Sequence, residues 1–255
     1  MAERIDFRDQ ISSNKTKSFF LMAVIFAVII FLGYIISLVF DPSFFFIIMI
    51  FASLFSIFYV WFTYYNSDKI AISSVGAKIA SKTQHKVYYD LVEGLTLASG
   101  LPIPKLYIME SKQINAFATG RDPHHSVICV TEGALEKLDK KELEGVLAHE
   151  LGHIASYDIR YMTLVAVMVG MISILSELFL RSLWFKNNDN NRVQLILMVI
   201  GIVFAIAAPI IVFFVQMAIS RKREYTADAS AVKFTRYPQG LIGALKKIKA
   251  GNAPP

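Results

Sequence analysis

The sequence predicts an α+β membrane protein with four transmembrane helices and a cytoplasmic domain of helices plus a small sheet with an edge strand. Of its 255 residues, 55% are hydrophobic and 18% charged, whereas ordinary globular domains are about half apolar and about a quarter charged. Four apolar segments are each long enough to cross a bilayer, which takes about 20 residues. Shorter helical and strand-like patterns lie between and after these segments.

The four apolar segments are interpreted as two helical hairpins. The first segment is too long for a signal peptide and continues through Asp41 and Pro42 into the second, which favours a hairpin over a cleaved leader. Trp61 near the end of the second segment is typical of a membrane interface. Glu177 and Arg181 interrupt the third segment at i,i+4 spacing, which favours an interfacial pair over an ion pathway. The segments cover residues 19–40, 44–64, 162–183 and 193–219.

Lysine and arginine residues give the orientation. They precede the first and third segments and follow the second and fourth, so the positive-inside rule places both termini and residues 65–160 in the cytoplasm. The run Arg221-Lys222-Arg223 is interpreted as a basic membrane anchor of this kind. The net charge of +6 therefore reflects topology, and no nucleic-acid partner is expected. The single cysteine, Cys129, excludes an intramolecular disulfide and is expected to be a core residue.

The predicted soluble elements lie in the parts that face the cytoplasm. HKVYYDLVEGLTLASG is a predicted helix that ends at Gly100, and KKELEGVLAHELGHIASYD is a second helix. KLYIM, INAFAT and SVICVT are predicted strands separated by turn-forming residues. The chain is predicted to have five parts. Residues 1–18 are a cytoplasmic N-terminal segment, 19–64 a first transmembrane hairpin and 65–160 a cytoplasmic domain with most of the soluble structure. Residues 161–219 are a second transmembrane hairpin, and 220–255 are a cytoplasmic C-terminal segment.

Two histidines of the second soluble helix lie on one of its faces. His149 and His153 are four residues apart, so both imidazoles can point at one metal ion. Glu150 is rotated by about 100° from His149 around the helix axis, which places its carboxylate beside the ion and within reach of a water molecule. Gly152 leaves room for a second backbone to approach. The pattern predicts one Zn²⁺ per chain, with Glu150 as the general base.

A catalytic zinc site needs a third protein ligand and one open position. The segment SRKREYTADASAVKF follows the fourth apolar segment, and its Glu224 and Asp228 share a helix face at i,i+4 spacing. We assign Glu224 to the metal and Asp228 to the orientation of an imidazole N–H, although the spacing also permits the opposite assignment.

Three segments together resemble one known family. NAFATG at 115–120, TEGALEKLDKKELEGVLAHELGHI at 131–154 and SRKREYTADASA at 220–231 are similar to the HtpX family of membrane zinc metalloproteases, relatives of the CAAX prenyl endopeptidases. The resemblance covers most of the chain. It implies a zincin-like fold and an ATP-independent endopeptidase of the cytoplasmic membrane of a prokaryote, which crosses that membrane several times and degrades damaged or misfolded membrane proteins.

The resemblance also implies roles for individual residues. It makes His149, His153 and Glu224 the zinc ligands and Glu150 the base that takes a proton from the attacking water. Independently of the resemblance, the candidate donors to the oxyanion are Arg223, Tyr225 and a side chain from a longer C-terminal segment, and the sequence does not choose among them. Proteins of this family usually continue further than KKIKAGNAPP, so we expect the chain to be either a shortened form or a shorter homologue.

The NAFAT segment is expected to bind the substrate. An extended peptide that pairs with a sheet edge gains backbone hydrogen bonds without a sequence requirement, which suits unfolded chains and membrane proteins as partners. An ordinary sheet strand explains the same pattern, and the two interpretations are compatible. The residues concerned are Asn115, Ala116, Phe117, Ala118 and Thr119.

The apolar segments lie close to the predicted ligands in sequence, which places the metal near the cytoplasmic surface of the bilayer. The third segment starts about two helical turns after His153, and the fourth ends about one turn before Glu224. Two alternative functions remain open: a catalytically silent zinc-binding scaffold that recruits clients, and a transporter that uses Glu177 and Arg181.

Overall fold

The computed structural model describes residues 7–39, 42–166, 168–169, 201, 215 and 221–251. These residues are mostly helical and include one small mixed sheet. A further helical stretch occupies 158–166. The helices are α1 Phe7–Val39, α2 Phe45–Ser74, α3 Lys86–Ser99, α4 Glu132–Lys137, α5 Lys140–Ala155, α6 Arg221–Thr235 and α7 Pro238–Gly251, and the strands are β1 Lys78–Ile79, β2 Lys105–Met109, β3 Ala116–Gly120 and β4 Ser126–Thr131.

The chain forms two compact units. One unit, here called the sheet unit, contains the sheet and the helices packed on it, and the other, the apolar unit, contains most of α1 and α2. The beginning of α1 belongs to the sheet unit. The sheet unit comprises Met1–Thr16, Asn66–Thr163 and Ser220–Pro255, and the apolar unit comprises Lys17–Tyr65 and Leu164–Ile219.

Among the described residues, two helices are long and apolar enough to cross a membrane. Their candidate spans are Asp9–Phe31 and Pro42–Ser74, with mean hydropathies of 1.6 and 2.4. A methyl group on Gly33 would overlap the Ala52 Cβ, so α1 and α2 pack closely there. The α2 helix is broken at Asn66, where φ is −114° and ψ is 16°, close to the end of its apolar run.

The predicted third and fourth apolar segments fall mainly outside the described residues. The structure shows that the third begins as a helix over 162–166 and 168–169. Glu177 and Arg181 also lie outside the described part of the chain, so the interpretation of this pair stays a prediction.

The sheet has the strand order β1-β2-β4-β3. β2 and β4 are parallel, with Leu106 opposite Ile128, while β3 is antiparallel to β4, with Phe117 opposite Cys129. All three predicted strands are present, and β3 forms one edge of the described sheet. The other edge strand, β1, was not predicted, because its two residues are too few for an alternating hydrophobic pattern.

The core of the sheet unit lies where α3 and α5 pack on the sheet. Every residue of β4 is buried, which fits its continuous apolar run. Tyr88 of α3 is fully buried, and its hydroxyl donates a hydrogen bond to the Ile128 carbonyl at 3.0 Å. Burial raises the pKa of the Cys129 thiol to about 11, so the structure confirms Cys129 as a core residue rather than a nucleophile.

Two glycines of α5 bring other helices close to it. A methyl group on Gly145 would lie 2.5 Å from the Leu241 backbone nitrogen of α7. One on Gly152 would lie 3.0 Å from the Cα and the carbonyl oxygen of Ala227 in α6. The close backbone approach predicted at Gly152 is therefore that of α6, the helix that carries Glu224.

Candidate metal centre

The structure brings together His149, His153 and Glu224. The Nε2 atoms of the two histidines are 3.2 Å apart, and the Glu224 carboxylate oxygens lie 3.4 Å from His149 Nε2 and 3.8 Å from His153 Nε2. Three donors bound to one tetrahedral zinc at about 2.1 Å would be about 3.4 Å from one another. Among the described residues, this group can therefore hold a metal ion with only small side-chain adjustments.

The three candidate ligands differ in exposure. The His153 side chain is 7% exposed and that of His149 is 17% exposed, while 47% of the Glu224 side chain remains accessible. A hydrogen bond from His149, opposed in part by burial, lowers the pKa of Glu224, so this group is a carboxylate at neutral pH. The site is thus enclosed on the side of α5 and open on the side of Glu224, where a further ligand can approach.

Each imidazole has a carboxylate behind it. His149 Nδ1 is 2.9 Å from Asp228 Oδ1, and His153 Nδ1 is 3.3 Å from Asp158 Oδ2. Burial works to lower the pKa of His149, but the hydrogen bond with Glu224 and the charges of Glu150 and Asp228 raise it overall. Asp228 is where the sequence predicted an orienting carboxylate, whereas Asp158 was not predicted.

A break in the helix explains why Asp158 was missed. The sequence predicted a continuous helix through Asp158, but α5 ends at Ala155. Tyr157 then adopts a left-handed backbone with φ of 60° before the helical stretch at 158–166 begins. In a continuous helix, a residue five positions after His153 would be rotated by about 140° from it. The reversal at Tyr157 returns the carboxylate to His153, and spacing alone does not predict such a reversal.

Glu150 lies on α5 beside the first histidine. It is buried, with 9% of its surface exposed, and its charge is one of those that raise the pKa of His149. The carboxylate is therefore close to the candidate metal ligands without belonging to the group itself.

The predicted substrate segment forms the sheet edge and contacts α5. Ala116 to Gly120 make up β3, while Asn115 precedes the strand and is tied to Thr131 by a backbone hydrogen bond of 3.0 Å. The Thr119 side chain is buried and lies 2.9 Å from the Thr163 hydroxyl. Thr119 can therefore meet a substrate only through its backbone.

The interpretation of Arg223 as a membrane anchor is wrong. Its side chain is buried within the sheet unit, with Nε 3.4 Å from Asp158 Oδ1 and the guanidinium 4.3 Å from the centre of the Tyr161 ring. The same contacts make it unsuited to donate to an oxyanion in the open site. Arg221 and Lys222 are exposed, and so is the other predicted oxyanion donor, Tyr225.

The chain is similar to one peptidase family in sequence. The model of Peptidase family M48 matches residues 82–250. A "Protease HtpX homolog" of Thermoanaerobacter pseudethanolicus is 41% identical over 252 residues, which cover 96% of this chain and 84% of the relative. A protein of the same name from Caldanaerobacter subterraneus subsp. tengcongensis is 42% identical, and the match covers 94% of this chain and 82% of that relative. One from Listeria monocytogenes serotype 4b is 39% identical, and the match covers 94% of this chain and 83% of that relative.

The fold is also similar to a solved structure. The crystal structure of S. mikatae Ste24p matches 96% of this chain with a TM-score of 0.50 and 21% sequence identity. The match spans 60% of the length of that structure. At this level of identity, the likeness supports the fold alone.

Proposed function

This chain belongs to Peptidase family M48, and on that basis we propose that it is an integral membrane zinc endopeptidase. Its substrates are misfolded or damaged membrane proteins, which it hydrolyses at the cytoplasmic face. The observation that carries this proposal is the convergence of His149, His153 and Glu224 from two helices to within 4.8 Å of one another.

The donor set fits zinc. Two imidazole nitrogens and one carboxylate, with an open fourth position, are a common arrangement in catalytic zinc sites. His149, His153 and Glu224 would hold the ion, and Asp228 would orient His149. When bound, zinc lowers the pKa of a water molecule and polarises the scissile carbonyl group.

Glu150 handles the proton in this proposal. It is next to a ligand in sequence and largely shielded from solvent. Its carboxylate accepts a proton from the attacking water and passes it to the departing amine. This role separates an enzyme from the silent scaffold, because a scaffold needs the ligands but not a base.

The edge strand β3 would align the substrate. It is the last strand of the described sheet and contacts α5, the helix of the two histidines. A peptide in extended conformation could pair with its free edge through backbone hydrogen bonds. Such pairing requires no particular side chains, which suits a protease that accepts many unfolded segments.

The preference for membrane substrates is supported by the sequence. The predicted ligands lie only one or two helical turns from apolar segments. In proteoliposomes, a membrane protein should be cleaved faster than its isolated soluble loop. A clear preference for the soluble loop would contradict this part of the proposal.

Zinc content combined with casein cleavage tests the catalytic assignment. Wild-type protein should contain one zinc per chain and cleave casein, whereas Glu150→Gln should retain the zinc and lose nearly all cleavage. Unchanged turnover by Glu150→Gln would remove the base from the mechanism. Zinc uptake without cleavage by the wild type would support the scaffold instead.

A further inference from the structure

We propose that Asp158 is the positioning residue for His153. Asp158 is itself held in place within a buried polar cluster that includes the start of the N-terminal helix. This cluster consists of Asn14, Ser156, Asp158 and Arg223. The inference rests on the proposed function, because it concerns the same metal centre.

The Asp158 carboxylate is fully buried, and both of its oxygens have partners. Oδ2 faces His153 Nδ1 at 3.3 Å and accepts a hydrogen bond from the Ser156 hydroxyl at 2.8 Å. Oδ1 accepts a hydrogen bond from the Asn14 amide at 2.6 Å and lies 3.4 Å from Arg223 Nε. These contacts fix the carboxylate from several directions, so it cannot rotate without breaking several of them.

The contact with His153 has a chemical consequence. A carboxylate oxygen can only accept, so the imidazole hydrogen must be on Nδ1 for this hydrogen bond to form. His153 Nε2 then carries its lone pair on the side of His149 and Glu224. Asp158 therefore selects the tautomer of His153 that a metal ion needs.

Arg223 makes the buried charge tolerable. A carboxylate without exposure is strongly unfavourable unless an opposite charge and hydrogen bonds compensate for it. Arg223 is itself buried and directly precedes Glu224 in α6. The ion pair of Arg223 and Asp158 thus links the turn after His153 to the turn of α6 that carries Glu224, the third candidate ligand.

The start of α1 completes the cluster. The Asn14 amide donates to the Ser156 carbonyl at 2.9 Å as well as to Asp158. One turn earlier, the Gln10 side chain accepts a hydrogen bond from Thr226 of α6 at 3.0 Å. Gln10 and Asn14 are both buried, so the N-terminal helix supports the sides of the centre that carry His153 and Glu224.

Asp158 and Asp228 are not equivalent in this arrangement. The Asp228 side chain is 44% exposed, whereas that of Asp158 has no exposed surface. Water can replace a lost acceptor at Asp228 but not at Asp158. We therefore expect the loss of Asp158 to disturb the orientation of His153 more than the loss of Asp228 disturbs the orientation of His149.

The test measures zinc affinity of the full chain in detergent by competition with a chromogenic chelator. Asp158→Asn keeps the shape of the side chain and removes its charge, and it should weaken zinc binding about 10- to 100-fold, the usual effect of losing such a partner. With Co²⁺ in place of zinc, the visible absorption bands should also shift, because the geometry at His153 changes.

Glu142→Gln is the matched control. Glu142 is a largely buried carboxylate like Asp158, but it lies in the first turn of α5, far from His153, and pairs with Lys247. This variant should lower thermal stability while leaving zinc affinity within about 2-fold, since it makes no contact with the donors. A purely structural role for Asp158 would give the same result as this control.

Ser156→Ala decides the question if Asp158→Asn does not fold. It removes one donor to the oxygen that faces His153, and it should weaken zinc binding about 2- to 10-fold, the range expected for one hydrogen bond. If Asp158→Asn folds, an unchanged zinc affinity and Co²⁺ spectrum would overturn the inference. If it does not fold, an unchanged zinc affinity in Ser156→Ala would do so. Either result would leave the proposed function intact. If the wild type bound no zinc, the proposed function would fail and the inference with it.

Discussion

Each of the two imidazoles in the centre lies between two carboxylates. One carboxylate is shared by both histidines, and the other contacts a single histidine. Glu224 lies on the side of both Nε2 atoms, while Asp228 and Asp158 lie on the Nδ1 sides. This arrangement directs both Nε2 atoms towards one point, where an ion would replace the hydrogen shared by His149 and Glu224. Preorganisation of this kind raises affinity because less conformational freedom is lost on binding.

Asp228→Asn should therefore weaken zinc binding, but less than Asp158→Asn does. The physical reason is the solvent exposure of Asp228, which allows water to accept the hydrogen bond of His149. We expect a loss near the lower limit of the usual range, about 10-fold. Chelator competition on both variants measures the order, and a larger loss for Asp228→Asn would contradict it.

Local spacing predicted most of the residues in this centre, because helical periodicity determines which side chains share a face. It placed His149 with His153 and Glu224 with Asp228. Asp158 and Asn14 were missed, since their contacts depend on a left-handed turn and on an approach between distant parts of the chain. Arg223 was misinterpreted because a basic residue after an apolar segment gives the same pattern whether it is exposed or buried.

Packing between helices determines whether the ligands meet. α5 supplies two of them and α6 the third, and Gly152 allows the two backbones to approach. The sequence predicted both helices from their polar and apolar spacing. It could not give the distance between them, which depends on small residues at the contact.

Gly152→Ala should lower both stability and zinc content. The added methyl group would lie 3.0 Å from three atoms of Ala227 and Ser230, so α5 and α6 must move apart. We expect a loss of about 1–3 kcal/mol in the free energy of unfolding. Gly94→Ala in α3 is the matched control, because no atom lies within 4 Å of its new methyl group. Equal thermal midpoints and zinc contents in the two variants would contradict this explanation.

The first turn of α5 gives a pH-dependent prediction. Asp139 caps this helix by accepting hydrogen bonds from the Lys141 and Glu142 backbone N–H groups. Its pKa is lowered, chiefly by the backbone hydrogen bond of Glu142. A lowered folded-state pKa contributes stability above the ordinary value near 3.8, and this contribution is lost as the pH falls through the folded pKa.

Asp139→Ala should therefore lower the thermal midpoint at pH 7 and lower it less at pH 3. Asp139→Asn is the control, since asparagine is also a good helix cap and does not titrate. Thermal unfolding at the two pH values measures the difference. A loss that is the same at pH 3 and pH 7 for Asp139→Ala would show that ionisation of Asp139 does not contribute.

For the protein as a whole, metal binding should be coupled to folding. The candidate ligands come from helices that are far apart in sequence, so the complete site exists only in the folded chain. A ligand that binds only the folded state stabilises it by about 2.7 kcal/mol at a concentration 100 times its Kd. Removal of zinc with a chelator should lower the thermal midpoint of the wild type. The same treatment should leave that of Glu224→Ala almost unchanged, and an equal drop in both would contradict the coupling.

X-ray absorption at the zinc edge is the most direct measurement of the ligand set. For the purified full chain with one zinc, we expect two imidazole nitrogens and oxygen ligands at about 2.0–2.2 Å. His149→Ala and His153→Ala should each lose one imidazole contribution, and Glu224→Ala should lose one oxygen ligand. A zinc environment that contains fewer than two imidazoles in the wild type, or that is unchanged in these variants, would contradict a metal centre formed by His149, His153 and Glu224.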